Sequence, residues 1–451
     1  MPARFLRATL LLFAAALIAA FATATASASP RNRDSGKGDS PAGAAAASQA
    51  TAPSRNADKT GVECPNGLDC EWVPAAYQQN SADPGDYGNF DLANRPVDGL
   101  AIRFVVIHDT EVDYPGTLAI FQNPLNYVSA HYVTRSADGH IAQMVRTKNV
   151  AWQAGNWWIN THSVGIENEG FAVDASFFTQ QLYRSLARLT RYTAERYGIP
   201  LDREHIIGHD QVPGPTAAFQ AGMHWDPGPY FDWAQFMALL GAPINPSGSD
   251  KTGRIVTIDP NFNTNRPVVR DCEGSGAALP AQPTNFVYLH TAPSDSAPLV
   301  DDPLLPGPAT TCANDWGDKA VTGQSFAVAG RQGDWVAIWY GGQKAWFENP
   351  AGSSTAIPGG GTLVTPKAGL ASIDVYGRAY PSDISTATLG YTIPAGQVYV
   401  ARDLVGADYY DATTFNAPST YKVFSSGEKF YEISFNHRIA FLRASDVEVV
   451  G

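Results

Sequence analysis

A glycine- and proline-rich stretch, HDQVPGPTAAFQAGMHWDPGPYFDW over residues 209–233, is the feature that most constrains how this chain can fold. Its prolines remove backbone donors and its glycines add conformational freedom, so it cannot form a regular helix. It nevertheless carries two side chains of metal-binding type, His209 and Asp226. A loop of this kind can aim side chains inward only if something fixes it, and a bound metal would do that.

Further chemically suited side chains lie upstream in strand-like runs. His108 follows RFVVI, and Glu167 lies in VGIEN. His108, His209 and Asp226 make a three-ligand set with one tetrahedral position left for water, as in catalytic rather than structural zinc sites. Glu167 is then available as the base that takes the proton of the water. Nitrogen and carboxylate ligands suit zinc better than calcium or magnesium, which prefer oxygen ligands.

The N-terminus predicts export. Arg4 and Arg7 precede an apolar run over residues 10–21, and Ala26-Ser27-Ala28 offers a small-x-small cleavage site, so residues 1–28 form a predicted secretory signal peptide. The alternative is a membrane anchor, but the run is shorter than the ~20 residues that a span needs. We expect a secreted protein, extracellular or cell-wall associated, with no membrane partner after signal removal.

The four cysteines are expected to pair, because exported chains favour disulfides. The sequence allows three connectivities, of which we predict Cys64–Cys70 and Cys272–Cys312. The net charge of −12, without a Lys/Arg stripe, argues against a nucleic-acid partner. We expect a monomer.

The length of 451 residues and the apolar content of 44% predict several folded domains. Residues 29–60 lack large apolar residues and are predicted to be a disordered linker. Residues 61–243 are predicted to be an α/β domain with a loop-rich lead-in. Strands are expected at 103–107, 131–135, 140–145 and 163–168, and helices at 117–122, 176–197 and 231–240. The turn Ala137-Asp138-Gly139 predicts a hairpin between the second and third strands.

Six segments between residues 103 and 236 match one family in the family's own order. They are FVVIHDT (104–110), SAHYVTRSADGHIAQMV (129–145), AWQAG (151–155), SVGIENEG (163–170), IIGHD (206–210) and HWDPGPYFDW (224–233). Together they resemble the type 2 N-acetylmuramoyl-L-alanine amidases, the zinc family that includes the peptidoglycan recognition proteins. The resemblance implies a mixed sheet flanked by helices, with zinc held by His108, His209 and Asp226 in an open groove and Glu167 as the catalytic carboxylate.

Two positions depart from the family pattern. His224 stands where many relatives have a Lys, two residues before the ligand Asp, and Gln153 stands where many have His in Trp-His-Ala-Gly. The resemblance implies that this Lys helps to bind or polarise the scissile carbonyl, and His224 can do the same as a hydrogen-bond donor whose charge depends on pH. His224 is therefore a catalytic candidate, and the identity of the oxyanion stabiliser stays open.

Other side chains near the motifs admit two interpretations. His131 matches a family His near the cleft and is a substrate-binding candidate, with a structural role as the alternative. Trp152 is a second substrate-binding candidate. His205 is predicted to be structural, because its segment has the pattern of a strand. Trp157 and Trp158 would point opposite ways on a strand, so at most one would face a substrate, and core packing is the alternative.

The chain beyond residue 243 shows short alternating apolar runs that predict all-β structure. Two segments share one order of strands, each with a Gly-Gln pair, Gly323-Gln324 and Gly396-Gln397. They resemble small SH3-like barrels, predicted at residues 250–350 and 360–451. Such modules in wall enzymes often bind peptidoglycan peptides, although aromatic residues in small barrels are mostly core.

The sequence therefore predicts a zinc amidase that cuts between N-acetylmuramic acid and L-alanine in peptidoglycan, its expected partner. One alternative is a non-catalytic peptidoglycan-binding protein of the same fold, and another is a hydrolase acting on a different wall amide. Because all the predicted ligands precede residue 243, a chain ending near Ala242 is expected to keep activity on soluble muropeptides.

Overall fold

The computed structural model describes residues 61–245 and 253–450. The predicted signal peptide (1–28) and linker (29–60) lie outside the described residues. Within the described ranges, none of the helices combines the length and the apolar character that crossing a membrane requires.

The strands are short in the N-terminal region, residues 61–245, and the longest strands lie towards the C-terminus. They are β1 (Cys70–Trp72), β2 (Gln78–Gln79), β3 (Tyr87–Gly88), β4 (Phe90–Asp91), β5 (Phe104–Ile107), β6 (Tyr132–Thr134), β7 (Ile141–Gln143), β8 (Val150–Ala151), β9 (Ser163–Asn168), β10 (Ile206–Gly208), β11 (Ile255–Ile258), β12 (Phe286–Tyr288), β13 (Lys319–Val321), β14 (Ser325–Gln332), β15 (Trp335–Tyr340), β16 (Gln343–Glu348), β17 (Ala356–Pro358), β18 (Thr362–Pro366), β19 (Ser372–Asp374), β20 (Thr392–Pro394), β21 (Tyr399–Asp411), β22 (Lys422–Ser434), β23 (Ile439–Arg443) and β24 (Val447–Val450).

The helices all lie in the N-terminal region, apart from one short 3-10 turn. They are α1 (Tyr114–Gln122), α2 (Trp157–His162), α3 (Gln180–Tyr197), α4 (Ala217–Gln220) and α5 (Trp233–Leu240), with 3-10 turns at Pro124–Asn126, Ala175–Phe177, His209–Gln211 and Pro418–Thr420.

A six-stranded mixed sheet forms the centre of the N-terminal region, in the order β1-β7-β6-β9-β5-β10. The predicted hairpin joins β6 and β7, which pair antiparallel, while β5 pairs in parallel with β9 and β10. The parallel strands β5, β9 and β10 are largely buried, as expected where both faces of a sheet are covered, and β5 and β10 are apolar runs. Their carboxyl ends therefore meet at one edge of the sheet.

Side-chain caps set the helix boundaries. Thr179 accepts a hydrogen bond from the backbone of Leu182, so α3 begins later than predicted, after a separate 3-10 turn. Gly198 ends α3 in the left-handed conformation with φ 70°, as predicted. Asp232 caps α5 in the same way as Thr179 caps α3, which moves the start of α5 to Trp233.

The expectation that Trp157 and Trp158 lie on a strand is wrong. They open helix α2 instead of lying on a strand, because the Asn156 side chain accepts hydrogen bonds from the backbone of Trp158 and Ile159. Both indoles are buried, with 2% and 1% of their surface exposed. Both therefore belong to the core, as the packing alternative proposed.

The chain after residue 253 forms two five-stranded antiparallel sheets, in the orders β16-β15-β14-β11-β17 and β23-β22-β21-β18-β24. Each consists of a three-stranded meander followed by the first and then the last strand of its segment. The predicted all-β structure is confirmed, while the assignment to SH3-like barrels and the boundaries 250–350 and 360–451 stay predictions. We refer to the two as the first and second β regions, residues 253–358 and 359–450. Both predicted disulfides, Cys64–Cys70 and Cys272–Cys312, are formed.

The two β regions share apolar cores with the mixed sheet. In the second β region, Tyr376 and Phe441 belong to the same buried cluster as Phe104, Val106 and Trp158 of the N-terminal region. The first β region contributes a different set to the cluster beneath α3 and α5, including Val269, Phe286 and Trp316. This packing removes the basis for expecting that a chain ending near Ala242 would fold independently.

Candidate metal centre and active site

The mixed sheet places two of the predicted site residues by its hydrogen-bond ladder. His108 follows β5 directly, and its backbone N–H donates to Ile166 O at 3.0 Å on neighbouring β9. Glu167 is the next residue of β9, so its side chain lies beside that of His108, with 4.0 Å between Glu167 Oε1 and His108 Nδ1. These two side chains are therefore fixed by strand register.

The loop over residues 209–233 places the other predicted ligands. His209 opens a 3-10 turn directly after β10, which is the parallel neighbour of β5, and its ring centroid lies 4.5 Å from that of His108. Asp226 returns to the same edge, where its backbone carbonyl accepts from Asp210 N at 2.8 Å. The carboxylate of Asp226 thereby lies between the two imidazoles, with Oδ2 3.2 Å from His108 Nδ1 and Oδ1 3.0 Å from His209 Nδ1.

The predicted three-residue set is thus assembled. His108, His209 and Asp226 are buried and offer ligand atoms that all lie within 4.8 Å of one another. Within the described chain, both ring nitrogens of His209, Asp226 Oδ1 and Glu167 Oε2 are buried atoms that make no hydrogen bond. Such unsatisfied groups cost free energy, and coordination to a cation would satisfy them. Two imidazoles and one carboxylate are the donor types of a catalytic zinc site, so these residues fit zinc.

Gln153, the departure from the family pattern, orients His108. Its amide nitrogen donates to Ser163 Oγ at 2.7 Å, so its carbonyl oxygen faces His108 Nε2 and accepts a hydrogen bond from it. With a ring proton held on Nε2 by this hydrogen bond, Nδ1 can offer its lone pair to a cation beside Asp226. A hydrogen bond on the far nitrogen is the usual way in which proteins orient a metal-binding imidazole.

Glu167 has the electrostatic surroundings of a proton carrier. Burial raises the pKa of its carboxyl to about 7, with His108 opposing the shift and the charge of Asp226 adding to it. A carboxyl with this pKa can accept and return a proton near neutral pH. The neighbouring candidate Glu169 is engaged elsewhere, because its carboxylate accepts from the backbone of Tyr114 at 3.0 Å and of Ser136 at 2.8 Å.

His224 lies at the mouth of the site. Its side chain is 43% exposed, and its Nδ1 lies 3.4 Å from Asp226 Oδ1. Its ring centroid is 4.6 Å from that of His209. His224 is therefore the exposed member of the group around the three buried side chains.

Two substrate-binding candidates lie away from the opening, in the interior. His131 is fully buried, its Nδ1 accepts from Gly165 N at 3.1 Å, and its Nε2 lies 3.1 Å from Asn149 O. Burial and the charge of Arg95 lower the pKa of His131 to about 3, which keeps the ring neutral. Trp152 is also fully buried, and its indole donates to Asp91 Oδ2 at 2.7 Å. These contacts correct the substrate-binding expectation for both residues in favour of the structural alternative.

His205 has the structural role that its strand pattern predicted. Its ring lies 2.7 Å from Asp202 Oδ1 and 3.3 Å from Asp403 Oδ2 of the second β region.

Arg203 also supports the site, by holding the turn that carries His209, although it lies in no motif that the sequence shows. Its guanidinium lies over the Trp233 ring at 3.4 Å and donates to Gln211 Oε1 at 2.6 Å. The same Gln211 oxygen accepts from Gly208 N at 3.1 Å, so Arg203 holds the turn that carries His209. A buried arginine outside a periodic segment gives no signal that a single sequence can reveal.

Known proteins are similar to the part of the chain that carries this site. The family described as N-acetylmuramoyl-L-alanine amidase matches residues 98–229. N-acetylmuramoyl-L-alanine amidase A of Achromobacter lyticus is 32% identical over 180 residues, which cover 36% of this chain and 94% of that protein. The 1,6-anhydro-N-acetylmuramyl-L-alanine amidase AmpD of Citrobacter freundii is 36% identical over 119 residues, or 25% of this chain and 57% of that protein.

A crystal structure of a selenomethionine derivative of AmpD aligns with 28% identity and a TM-score of 0.28, covering 38% of this chain and 94% of that one.

Proposed function

The chain belongs to the N-acetylmuramoyl-L-alanine amidase family and is an amidase of that type, and from this premise we propose that it is a secreted, zinc-dependent enzyme of the bacterial cell wall. Its substrate is peptidoglycan, and the bond it hydrolyses is the amide between N-acetylmuramic acid and L-alanine. The observation that carries the proposal is the buried cluster of His108, His209 and Asp226 with Glu167 beside it.

In this proposal the three buried side chains hold the metal. A bound zinc ion would act as a Lewis acid and would lower the pKa of a water molecule there. His108 binds through Nδ1, since Gln153 occupies Nε2. His209 would contribute a ring nitrogen and Asp226 its Oδ1, atoms that have no hydrogen-bond partner among the described residues.

Glu167 carries the proton in this mechanism. Its carboxylate accepts one proton from the attacking water as the new C–O bond forms at the amide carbon. It returns that proton to the alanine nitrogen as the C–N bond breaks, so the products are a free lactyl carboxyl and a free amine. The raised pKa of Glu167, about 7, suits a group that must act first as base and then as acid.

His224 is proposed as the donor to the scissile carbonyl. It is the most accessible of the histidines around the site and lies beside Asp226. In the transition state negative charge develops on the carbonyl oxygen, and a donor aimed there stabilises it. A protonated His224 would supply both the hydrogen bond and a charge.

Mass spectrometry of the products from purified sacculi tests the proposal. The expected products are peptides with a free N-terminal L-alanine and glycan strands with free lactyl groups. Glu167→Gln provides the matched inactive control. Peptides cleaved elsewhere in the stem would indicate a different wall amide. An unchanged digest with bound protein would indicate the non-catalytic, peptidoglycan-binding alternative.

A further inference from the structure

The loop that carries His209, His224 and Asp226 contacts both β regions. Its own backbone hydrogen bonds are mostly local, such as Met223 N to Gln220 O at 3.4 Å. A segment so rich in glycine and proline has many other conformations available. Its observed path must therefore be fixed by groups outside the loop.

Arg438 of the second β region contacts the loop at two separate segments. Its guanidinium donates to Val212 O at 2.6 Å, to His224 O at 3.1 Å and to Met223 O at 3.4 Å. The side chain lies between β22 and β23 and is buried, with 4% of its surface exposed. One planar cation thus joins the beginning of the loop to the residues that immediately precede Asp226.

Asn285 of the first β region contacts the other side of Asp226. Its side-chain amide donates to Gly228 O and to Phe231 O, both at 2.9 Å. Its backbone N–H donates to Pro229 O at 2.9 Å. Residues 223–224 and 228–231, on either side of Asp226, are therefore each hydrogen-bonded to a different β region.

Direct backbone packing adds to these hydrogen bonds. A Cβ at Gly377 would lie 1.9 Å from Gly214 O, so only glycine permits this close approach of the second β region. The Asn156 side chain donates to Pro213 O at 3.0 Å and to Gly377 O at 2.8 Å, and so joins the two. Ala217 N donates to Thr388 O at 3.3 Å further along the loop.

We infer that the two β regions are part of the catalytic apparatus: Arg438 and Asn285 are positioning residues that hold the loop so that His209, His224 and Asp226 face His108 and Glu167. They act through backbone carbonyls of the loop and not on the substrate. For its consequence in catalysis the inference rests on the proposed function, but the loop conformation can be measured without metal or substrate.

Amide hydrogen exchange of the metal-free, full-length protein tests the inference. In Arg438→Ala we expect peptides covering residues 212–226 to exchange at least about tenfold faster, because local opening is no longer opposed by three hydrogen bonds. Peptides covering β5 and β9 should be unchanged. Asn285→Ala should produce the same effect over residues 226–231. Arg331→Ala is the matched control, because Arg331 donates to Gly253 O at the protein surface, away from the loop.

Zinc affinity and chemical rescue supply independent readouts. The zinc dissociation constant of Arg438→Ala should rise on the order of 10- to 100-fold, the usual effect of losing a group that supports ligands. Added guanidinium should restore part of the affinity, while Arg438→Lys should remain weak because an ammonium cannot span the same carbonyls. If Arg438→Ala does not fold, Arg438→Lys and Asn285→Ala provide the same comparison.

Unchanged exchange and unchanged zinc affinity in a folded Arg438→Ala protein would overturn the inference. A uniform increase in exchange across the whole chain would also overturn it, since Arg438 would then support the fold in general. Faster exchange confined to the loop, in a protein whose wild type binds no zinc, would support the positioning role while removing the proposed function.

Discussion

The proposed active site joins two halves that are held in different ways. His108 and Glu167 extend from adjacent parallel strands, so the backbone ladder between β5 and β9 fixes their separation. His209, His224 and Asp226 extend from an irregular loop whose path depends on contacts with the two β regions. The strand half is therefore determined locally, whereas the loop half depends on chain segments that are distant in sequence. Disturbing each half separately should show this difference.

Removing every residue after Ala242 should have the largest effect. The loss would uncover the apolar clusters that Tyr376, Phe441, Phe286 and Trp316 complete, at a cost of roughly 1.5–3 kcal/mol for each large side chain that loses its cover. We expect no cooperative thermal transition by circular dichroism and no activity. A truncated chain that unfolds cooperatively and hydrolyses a soluble muropeptide would show that the N-terminal region is independent.

Asp226→Ala should abolish metal binding at the proposed site while leaving the fold intact. The variant removes the carboxylate that lies between the two imidazoles, so we expect loss of most bound zinc and of all measurable turnover. Elemental analysis of the purified protein measures the zinc directly. Asp295→Ala, in an exposed loop of the first β region, is the control. Full zinc occupancy in Asp226→Ala would exclude Asp226 as a ligand.

Glu167→Gln should disturb chemistry alone. The change is nearly isosteric, so zinc content and substrate binding should persist while kcat falls by a factor on the order of 10²–10⁴, the usual contribution of a general base. Glu169→Gln, two residues along the same segment, is the matched control, because its carboxylate receives backbone N–H donors. It should lower thermal stability with little change in kcat. Near-normal kcat in Glu167→Gln would place the base elsewhere.

Gln153→Ala should loosen the strand half to a smaller degree. Without the acceptor at Nε2, the His108 imidazole is free to change tautomer and to rotate. We expect zinc affinity to fall by about 10- to 100-fold, the range for residues that orient a ligand. Competition with a chelator measures the change. Gln153→His should retain more affinity than Gln153→Ala if its ring supplies a lone pair to the same nitrogen.

The contact between His205, which directly precedes β10, and the second β region should give the smallest effect, a dependence of stability on pH. Although burial lowers it, hydrogen bonds to Asp202 and Asp403 raise the pKa of His205 to about 10. A raised folded-state pKa gives stability that is fully present below the unfolded value, about 6.5, and is lost as pH rises towards 10. Burial also raises the pKa of nearby Glu432, to about 8, which acts in the same direction.

The melting temperature should therefore fall by on the order of a few °C between pH 7 and 10. The decline should be shallower in His205→Gln, which has no charge to lose. An equal decline in both proteins would exclude His205 as its source.

What could be predicted from the sequence differs between the same two halves of the site: locally determined features could be predicted, and the support of the loop could not. The hairpin, the strand over 163–168, the end of α3 at Gly198 and both disulfides depend on local patterns, and the structure confirms them. Side-chain caps at Asn156 and Thr179 explain why the Trp157-Trp158 pair lies in a helix and why α3 begins later than predicted.

The support of the loop could not be predicted in this way. Arg438, like Arg203, is a buried cation that lies outside any periodic segment or recognisable motif. Asn285 is one of many asparagines in turn-rich segments. Their function arises from backbone carbonyls that folding brings to them from more than fifty residues away. The family motifs therefore predicted which residues could come together at the site. They did not predict which residues hold the loop so that His209, His224 and Asp226 reach it.

Anomalous diffraction at the zinc edge from crystals of the full-length, zinc-loaded protein tests most directly whether the two halves meet on one metal ion. The expected result is a single strong peak, at about 2.0–2.1 Å from a nitrogen of His108 and of His209 and about 2.0–2.2 Å from an oxygen of Asp226, with Glu167 outside bonding distance. A peak that contacts only the strand half or only the loop half, or no peak at this cluster, would contradict the account.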